Sequence, residues 1–180
     1  NGIGAALCRR FKREGASGIA VVDIDAEAAR QVAEEIGETA LVADVAVEAD
    51  VVRVVRETEQ QHGSIDLFCS NAGVAFMDAP GGKATSCPNE NWQKAWDINV
   101  MAHVYAARAV LPGMIARQEG YLLNTVSAAG LLNQIGSASY STTKHAAIGF
   151  AESLAITHGD DGIKVSVICP QAVATQMIGD

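Results

Sequence analysis

Tyr140 and Lys144 stand four residues apart in a small, polar stretch, Ser139-Tyr140-Ser141-Thr142-Thr143-Lys144, that reads as helical. On a helix that spacing puts both side chains on one face. A phenol titrates near ~10, too high for a base at neutral pH. A fixed ammonium within about 4–6 Å favours the phenolate and lowers that value by roughly 1–3 units. The phenol then becomes a usable general acid or base. Ser127 lies just upstream, at the end of an apolar run. Its hydroxyl can donate to a carbonyl oxygen as charge builds there. An exposed Tyr-Lys pair is the plainer reading of the two residues by themselves; Ser127 and the polar context favour chemistry.

A second constellation would bind rather than react. Gly2-Ile3-Gly4 opens a helical stretch, and Asp23 follows about 20 residues on, the spacing of the second half of a dinucleotide fingerprint. Glycines let the main chain approach a pyrophosphate, whose charge the helix N-terminus stabilises. An acidic residue ending the next strand accepts hydrogen bonds from ribose hydroxyls and repels a 2′-phosphate. A tight turn accounts for a lone Gly-x-Gly equally well.

These groups need a frame, and the pattern of apolar runs supplies one. Short runs at 19–23, 40–42, 67–70, 121–126 and 165–168 predict strands. Longer amphipathic stretches at 4–14, 26–36, 49–61, within 91–117, and at 140–158 predict helices, with Pro112-Gly113 ending or kinking the fourth. Strands separated by helices imply right-handed crossovers and a parallel sheet covered on both faces: a doubly wound, Rossmann-like α/β fold. Residues 1–180 read as one domain, with the first and last strands missing and the chain a fragment truncated at both ends. In such a sheet, ligands sit beyond the carboxyl ends of the strands. Asp23, Asp44, Asn71-Ala72-Gly73, Ser127 and Pro170 all follow a strand. Strand capping explains any one of them; the set is harder to dismiss.

Composition narrows the class. Thirteen Lys and Arg against 21 Asp and Glu give a net charge of −8, the wrong sign for a nucleic-acid binder. A hydrophobic share of 49% with 19% charged residues fits a packed globular chain. The longest uncharged run, residues 120–143, is too polar to span a membrane. Cys8, Cys69, Cys87 and Cys169 are scattered, which suits a reducing cytoplasm, and the four histidines form no metal-ligand spacing.

The sequence resembles the short-chain dehydrogenase/reductase family, in its smaller single-domain branch, over essentially its whole length. The motifs occur in order: Gly2-Ile3-Gly4, Asp44-Val45, Asn71-Ala72-Gly73, Asn99 within Asp97-Ile98-Asn99-Val100, Ser127, and the Tyr140-x-x-x-Lys144 pair. The resemblance implies that Tyr140 exchanges a proton with the substrate oxygen and that Ser127 orients it. Lys144 would hold the nicotinamide ribose and depress the phenol's pKa, and Asn99 would anchor a water that relays protons. Without the other motifs, Asn99 reads as a helix-bending or capping amide. The resemblance further implies that Asp44 and Val45 touch the adenine ring, that Asn71, Ala72 and Gly73 lie against the cofactor, and that Pro170, Val173 and Thr175 border the nicotinamide. Gln171 replaces the family's usual glycine.

Asp23 and the non-basic Asn1 favour NAD over NADP. The expectation is an NAD-dependent oxidoreductase interconverting a secondary alcohol and a ketone. It would be a cytoplasmic homodimer or homotetramer with a small-molecule substrate and no nucleic-acid, membrane or metal partner. The pairs Ala106-Ala107 and Ala146-Ala147 suit either subunit packing or the interior. A non-catalytic nucleotide-binding or scaffolding module is the alternative, favoured by the shortened glycine loop and Gln171. An epimerase or dehydratase acting on an activated sugar ranks third.

Overall fold

The computed structural model describes residues 2–80 and 83–173. Helices and strands alternate: α1 (Gly2–Arg13), β1 (Ala20–Asp23), α2 (Ala26–Ile36), β2 (Thr39–Val42), α3 (Glu48–His62), β3 (Leu67–Ser70) and α4 (Asn89–Trp96). A π turn (Asp97–Met101) leads into α5 (Ala102–Arg117), followed by β4 (Gly120–Thr125), a 3-10 turn (Ala128–Gly130), α6 (Ala138–His158) and β5 (Ile163–Ile168). Every strand pairing is parallel. The expected α/β architecture is therefore present, with strand order β1-β2 in one sheet and β3-β4-β5 in another.

Local signals explain the boundaries. The Asp25 carboxylate accepts from the N–H groups of Glu27 and Ala28 and so caps α2. β4 is paired on both sides, Leu122 opposite Phe68 and Val165, and Leu122 is buried in the larger core. That core joins Val55 of α3, Val110, Leu111 and Met114 of α5, Leu154 of α6 and Ile163 of β5. A smaller cluster, Ala5, Val21, Val32 and Ala33, packs α1 and α2 on β1. Gly162 turns the chain from α6 into β5 at φ +78°; a Cβ there would lie 1.9 Å from the Gln118 carbonyl oxygen, so only glycine fits.

Two expectations need correction. Pro112 does not end its helix: α5 continues to Arg117 and stops at Gln118 in the left-handed region. Leu111 and Met114, on either side of the proline, are both anchored in the core, and that burial offsets the helical hydrogen bond a proline removes. The stretch from 89 to 117 is also longer than expected, 29 residues, and by length and composition apolar enough to cross a bilayer. Here it is a core element: Ala95, Asn99, Ala106, Ala107, Val110 and Met114 are buried within the fold. Of the two readings left open for the alanine pairs, burial of Ala106, Ala107 and Ala147, with Ala146 half-buried, favours the interior of this chain.

Candidate active site

Loops after the parallel strands carry the polar residues, at the carboxyl ends of the strands of both sheets. After β4 comes Ser127, in extended backbone, whose Oγ accepts from the Ala129 N–H at 3.1 Å. The 3-10 turn that Ser127 opens is tied to the end of β5, because Ala128 N donates to the Pro170 carbonyl at 2.9 Å. Tyr140 and Lys144 stand one turn apart near the start of α6, both buried. Lys144 Nζ lies 5.6 Å from the centre of the Tyr140 ring. Its hydrogen bond is long, 3.4 Å to the Thr125 carbonyl at the end of β4. Burial pushes the Lys144 ammonium down to about 8, with the Cys169 sulfur opposing the shift.

Asn99 sits in the π turn and is fully buried. Its Oδ1 accepts from Val74 N at 2.9 Å, and its Nδ2 donates to Val74 O at 2.9 Å and to Thr143 Oγ1 at 3.0 Å. Thr143 Oγ1 in turn donates to the Tyr140 carbonyl at 2.9 Å. The Asn99 amide is thus spent on protein partners: it clamps the segment after β3 to the helix carrying Tyr140. A π turn is a frequent companion of functional sites because it displaces one residue from helical register.

The remaining residues fall where the strands end. Asp23 closes β1, its carboxylate accepting from Asp25 N at 3.1 Å and its carbonyl from Ala43 N at 3.1 Å. Asp44 follows β2, its Oδ1 accepting from Ala46 N at 2.9 Å, with Val45 half-buried beside it. Asn71 follows β3, and its Oδ1 is buried with no hydrogen-bond partner. Gly4 of α1 comes so close to Asn71 that a Cβ on it would be 2.7 Å from Nδ2. Ala72 is exposed and Gly73 half-buried. Gly2 and Ile3 begin α1; Pro170 is half-buried, and Gln171 and Val173 are exposed. Asn1 and Thr175 lie outside the described residues. The structure therefore joins Asn99, Tyr140, Lys144 and the strand end bearing Ser127 through a hydrogen-bonded frame, while Asp23 and Asp44 mark the ends of the separate β1-β2 pair.

Two residues were not singled out by sequence. Thr143 is fully buried and is the link between Asn99 and Tyr140. His103, one turn after Asn99, is buried, and neither ring nitrogen makes a well-formed hydrogen bond. Burial, then the Lys144 ammonium, push its imidazole down to about 4, and the neighbouring Asn124 amide offsets this only in part. A polar residue four places after Asn99, on an otherwise apolar helix, was the available signal.

Comparison with known proteins gives a consistent picture. The family model for short chain dehydrogenases matches residues 1–180. The 1-deoxy-11-beta-hydroxypentalenate dehydrogenase of Streptomyces exfoliatus is 35% identical over 99% of this chain and 66% of its own length. Epidermal retinol dehydrogenase 2 of Homo sapiens is 34% identical over 98% of this chain and 59% of its own length. The chain thus spans about three-fifths to two-thirds of these relatives. The solved structure of a putative short-chain dehydrogenase from Novosphingobium aromaticivorans superposes with a TM-score of 0.89 at 26% identity, covering 97% of this chain and 67% of that one.

Proposed function

This chain belongs to the short-chain dehydrogenase family, and from that premise we propose that it is the core of an NAD-dependent oxidoreductase interconverting a secondary alcohol and a ketone. The observation that carries the reading is Lys144, a lysine only 2% exposed, set over the Tyr140 ring beside the strand end that leads to Ser127. Burying an ammonium is costly unless its charge is used.

The residues present fit a dinucleotide. Asn71 Oδ1 is buried with no hydrogen-bond partner, Gly4 lets the Asn71 side chain pack against α1 where a Cβ would clash with it, and Asp23 ends the first strand. Gly2, Ile3 and Gly4 would hold the pyrophosphate at the start of α1, and Asp23 the adenosine ribose. Asp44 and Val45 would border the adenine, with Asn71, Ala72 and Gly73 along the middle. Lys144, Tyr140, Pro170 and Val173 would hold the nicotinamide end. When bound, the nicotinamide supplies the carbon that accepts or donates hydride.

The chain's own residues do the rest. Ser127 Oγ donates to the substrate oxygen and fixes its position. Tyr140 Oη takes the hydroxyl proton when an alcohol is oxidised and returns it when a ketone is reduced. The Lys144 ammonium stabilises the phenolate that takes up the proton in oxidation and that remains after the proton is given up in reduction. Asn99 acts through Thr143 and Val74 and is a positioning residue. Free Cys8, Cys69, Cys87 and Cys169 support a cytoplasmic location; by family likeness the enzyme is a homodimer or homotetramer.

The test is to incubate the full-length protein with NAD and a panel of secondary alcohols while following reduced-nicotinamide absorbance. Turnover is expected, with Tyr140→Phe losing at least about a hundredfold in kcat while NAD affinity holds. NAD binding without turnover in the parent overturns the proposal in favour of a nucleotide-binding module, and equal turnover in the variant overturns the role given to Tyr140.

A further inference from the structure

The loops that follow β3 and β4 carry large apolar side chains out into solvent. Met77, Leu131, Leu132 and Ile135 are all exposed, Leu132 at 75% and Ile135 at 96%. Other exposed apolar residues, such as Ile24 and Ile156, are scattered over the surface and need no explanation. These four belong to two loops fastened to one another. Asp78 N donates to the Gly136 carbonyl at 2.8 Å, and a methyl on Gly136 would be 3.6 Å from Met77 Cε. Leu131 and Leu132 both donate their N–H to the Ala128 carbonyl, on the turn that Ser127 opens.

The fastening continues on each side of Tyr140. Ser137 Oγ donates to the Phe76 carbonyl at 2.7 Å, and Ser141 Oγ accepts from Gln134 N at 2.9 Å. The apolar side chains therefore stand on main chain that is bonded to the helix turn bearing the phenol. Asp78 is the only charged residue in segments 74–79 and 131–137. An apolar patch at the mouth of a site fits an apolar ligand, and the acidic residue disfavours an anionic one.

We propose that this lip receives the hydrocarbon body of the substrate, which is an uncharged secondary alcohol or ketone with a long-chain or polycyclic skeleton, its carbinol carbon at Ser127 and Tyr140. This rests on the oxidoreductase reading. It disfavours phosphorylated, nucleotide-linked and coenzyme A-linked substrates, since the described segments 74–79 and 131–137 bring Asp78 and no cation to the lip.

The experiment compares 2-butanol, 2-hexanol, 2-octanol and 2-decanol in the full-length protein and in a Leu132→Asn/Ile135→Asn variant. Both changes are at solvent-exposed positions, so folding is preserved. Burying each added methylene is expected to raise kcat/KM by about two- to fourfold in the parent. The variant is expected to flatten that rise, with kcat/KM for 2-decanol falling several-fold more than for 2-butanol. A flat series in the parent, or the same slope in both proteins, overturns the proposal. Displacement of Nile red by 2-butanone and 2-decanone reads the lip without catalysis. If no alcohol turns over yet 2-decanone displaces the dye far better from the parent than from the variant, the lip stands and the catalytic reading falls. Turnover that ignores chain length sinks the lip and spares the catalytic reading. Loss of vesicle binding or self-association in the variant, with an unchanged slope, assigns the lip to a membrane or a second copy and also overturns it.

Discussion

Lys144 offers a measurement in which site chemistry and folding stability pull in opposite directions. Burial pushes its ammonium from 10.5 to about 8. The unfolded chain then holds the proton more tightly than the folded one, so stability is lowest below pH 8 and climbs as pH rises from about 8 to 10.5. With those limits the penalty is about 3 kcal/mol at pH 7 and about 1 kcal/mol at pH 9.5. Lys144→Met keeps the length of the side chain and removes the charge. Both proteins carry Tyr140→Phe, so that only one titrating group differs. Urea unfolding at the two pH values is expected to show the Met variant ahead by about 3 kcal/mol at pH 7, its lead shrinking by about 2 kcal/mol at pH 9.5. Any packing difference between Met and Lys is constant with pH and cancels from that change. A lead that does not shrink, or a variant less stable at pH 7, refutes the argument that the fold bears the cost of a buried cation.

His103 behaves as the mirror case on the acid side. With its imidazole pushed from 6.5 to about 4, the unfolded state binds more protons between those values, so stability falls as pH drops through that range. His103→Leu is expected to remove about 3 kcal/mol of that loss in acid unfolding curves; an unaltered curve refutes it. Asn99→Ala strands Val74 N–H and Val74 C=O and removes the donor to Thr143 Oγ1, which keeps its bond to the Tyr140 carbonyl. A loss of about 2–4 kcal/mol in denaturant unfolding is expected, and a change below about 0.5 kcal/mol refutes the clamp. Asp23→Ala is expected to lower the NAD-to-NADP affinity ratio by about tenfold; titration showing an unchanged ratio means that Asp23 does not read the ribose.

Much of the frame was legible because its signals are local. The α2 range, 26–36, followed from its amphipathic pattern and β3 from its short apolar run, and the structure adds Asp25 as the N-cap of α2. The strand-end residues were legible too, since a strand's carboxyl end is marked by a turn-forming or polar residue. What escaped depends on partners distant in sequence. Pro112 reads as a helix breaker until the core contacts of Leu111 and Met114 are known. The π turn at Asp97–Met101 has no local signature; it is fixed by Asn99 reaching Val74, 25 residues back, and Thr143, 44 residues on. Thr143 and His103 looked ordinary for the same reason: their roles come from burial against neighbours from other elements. The exposure of Leu131, Leu132 and Ile135 was equally hidden, because nothing in an apolar triplet says whether it faces core or solvent.

The bonds made by Ser137 and Ser141 engage main-chain atoms of Phe76 and Gln134. Side chains other than proline can therefore be exchanged at positions 77, 131, 132 and 135 without removing a bond of the fastening. Selectivity and proton transfer are in this sense separate modules: the outer facing can be re-clad for a new molecule while the phenol beneath stays in register.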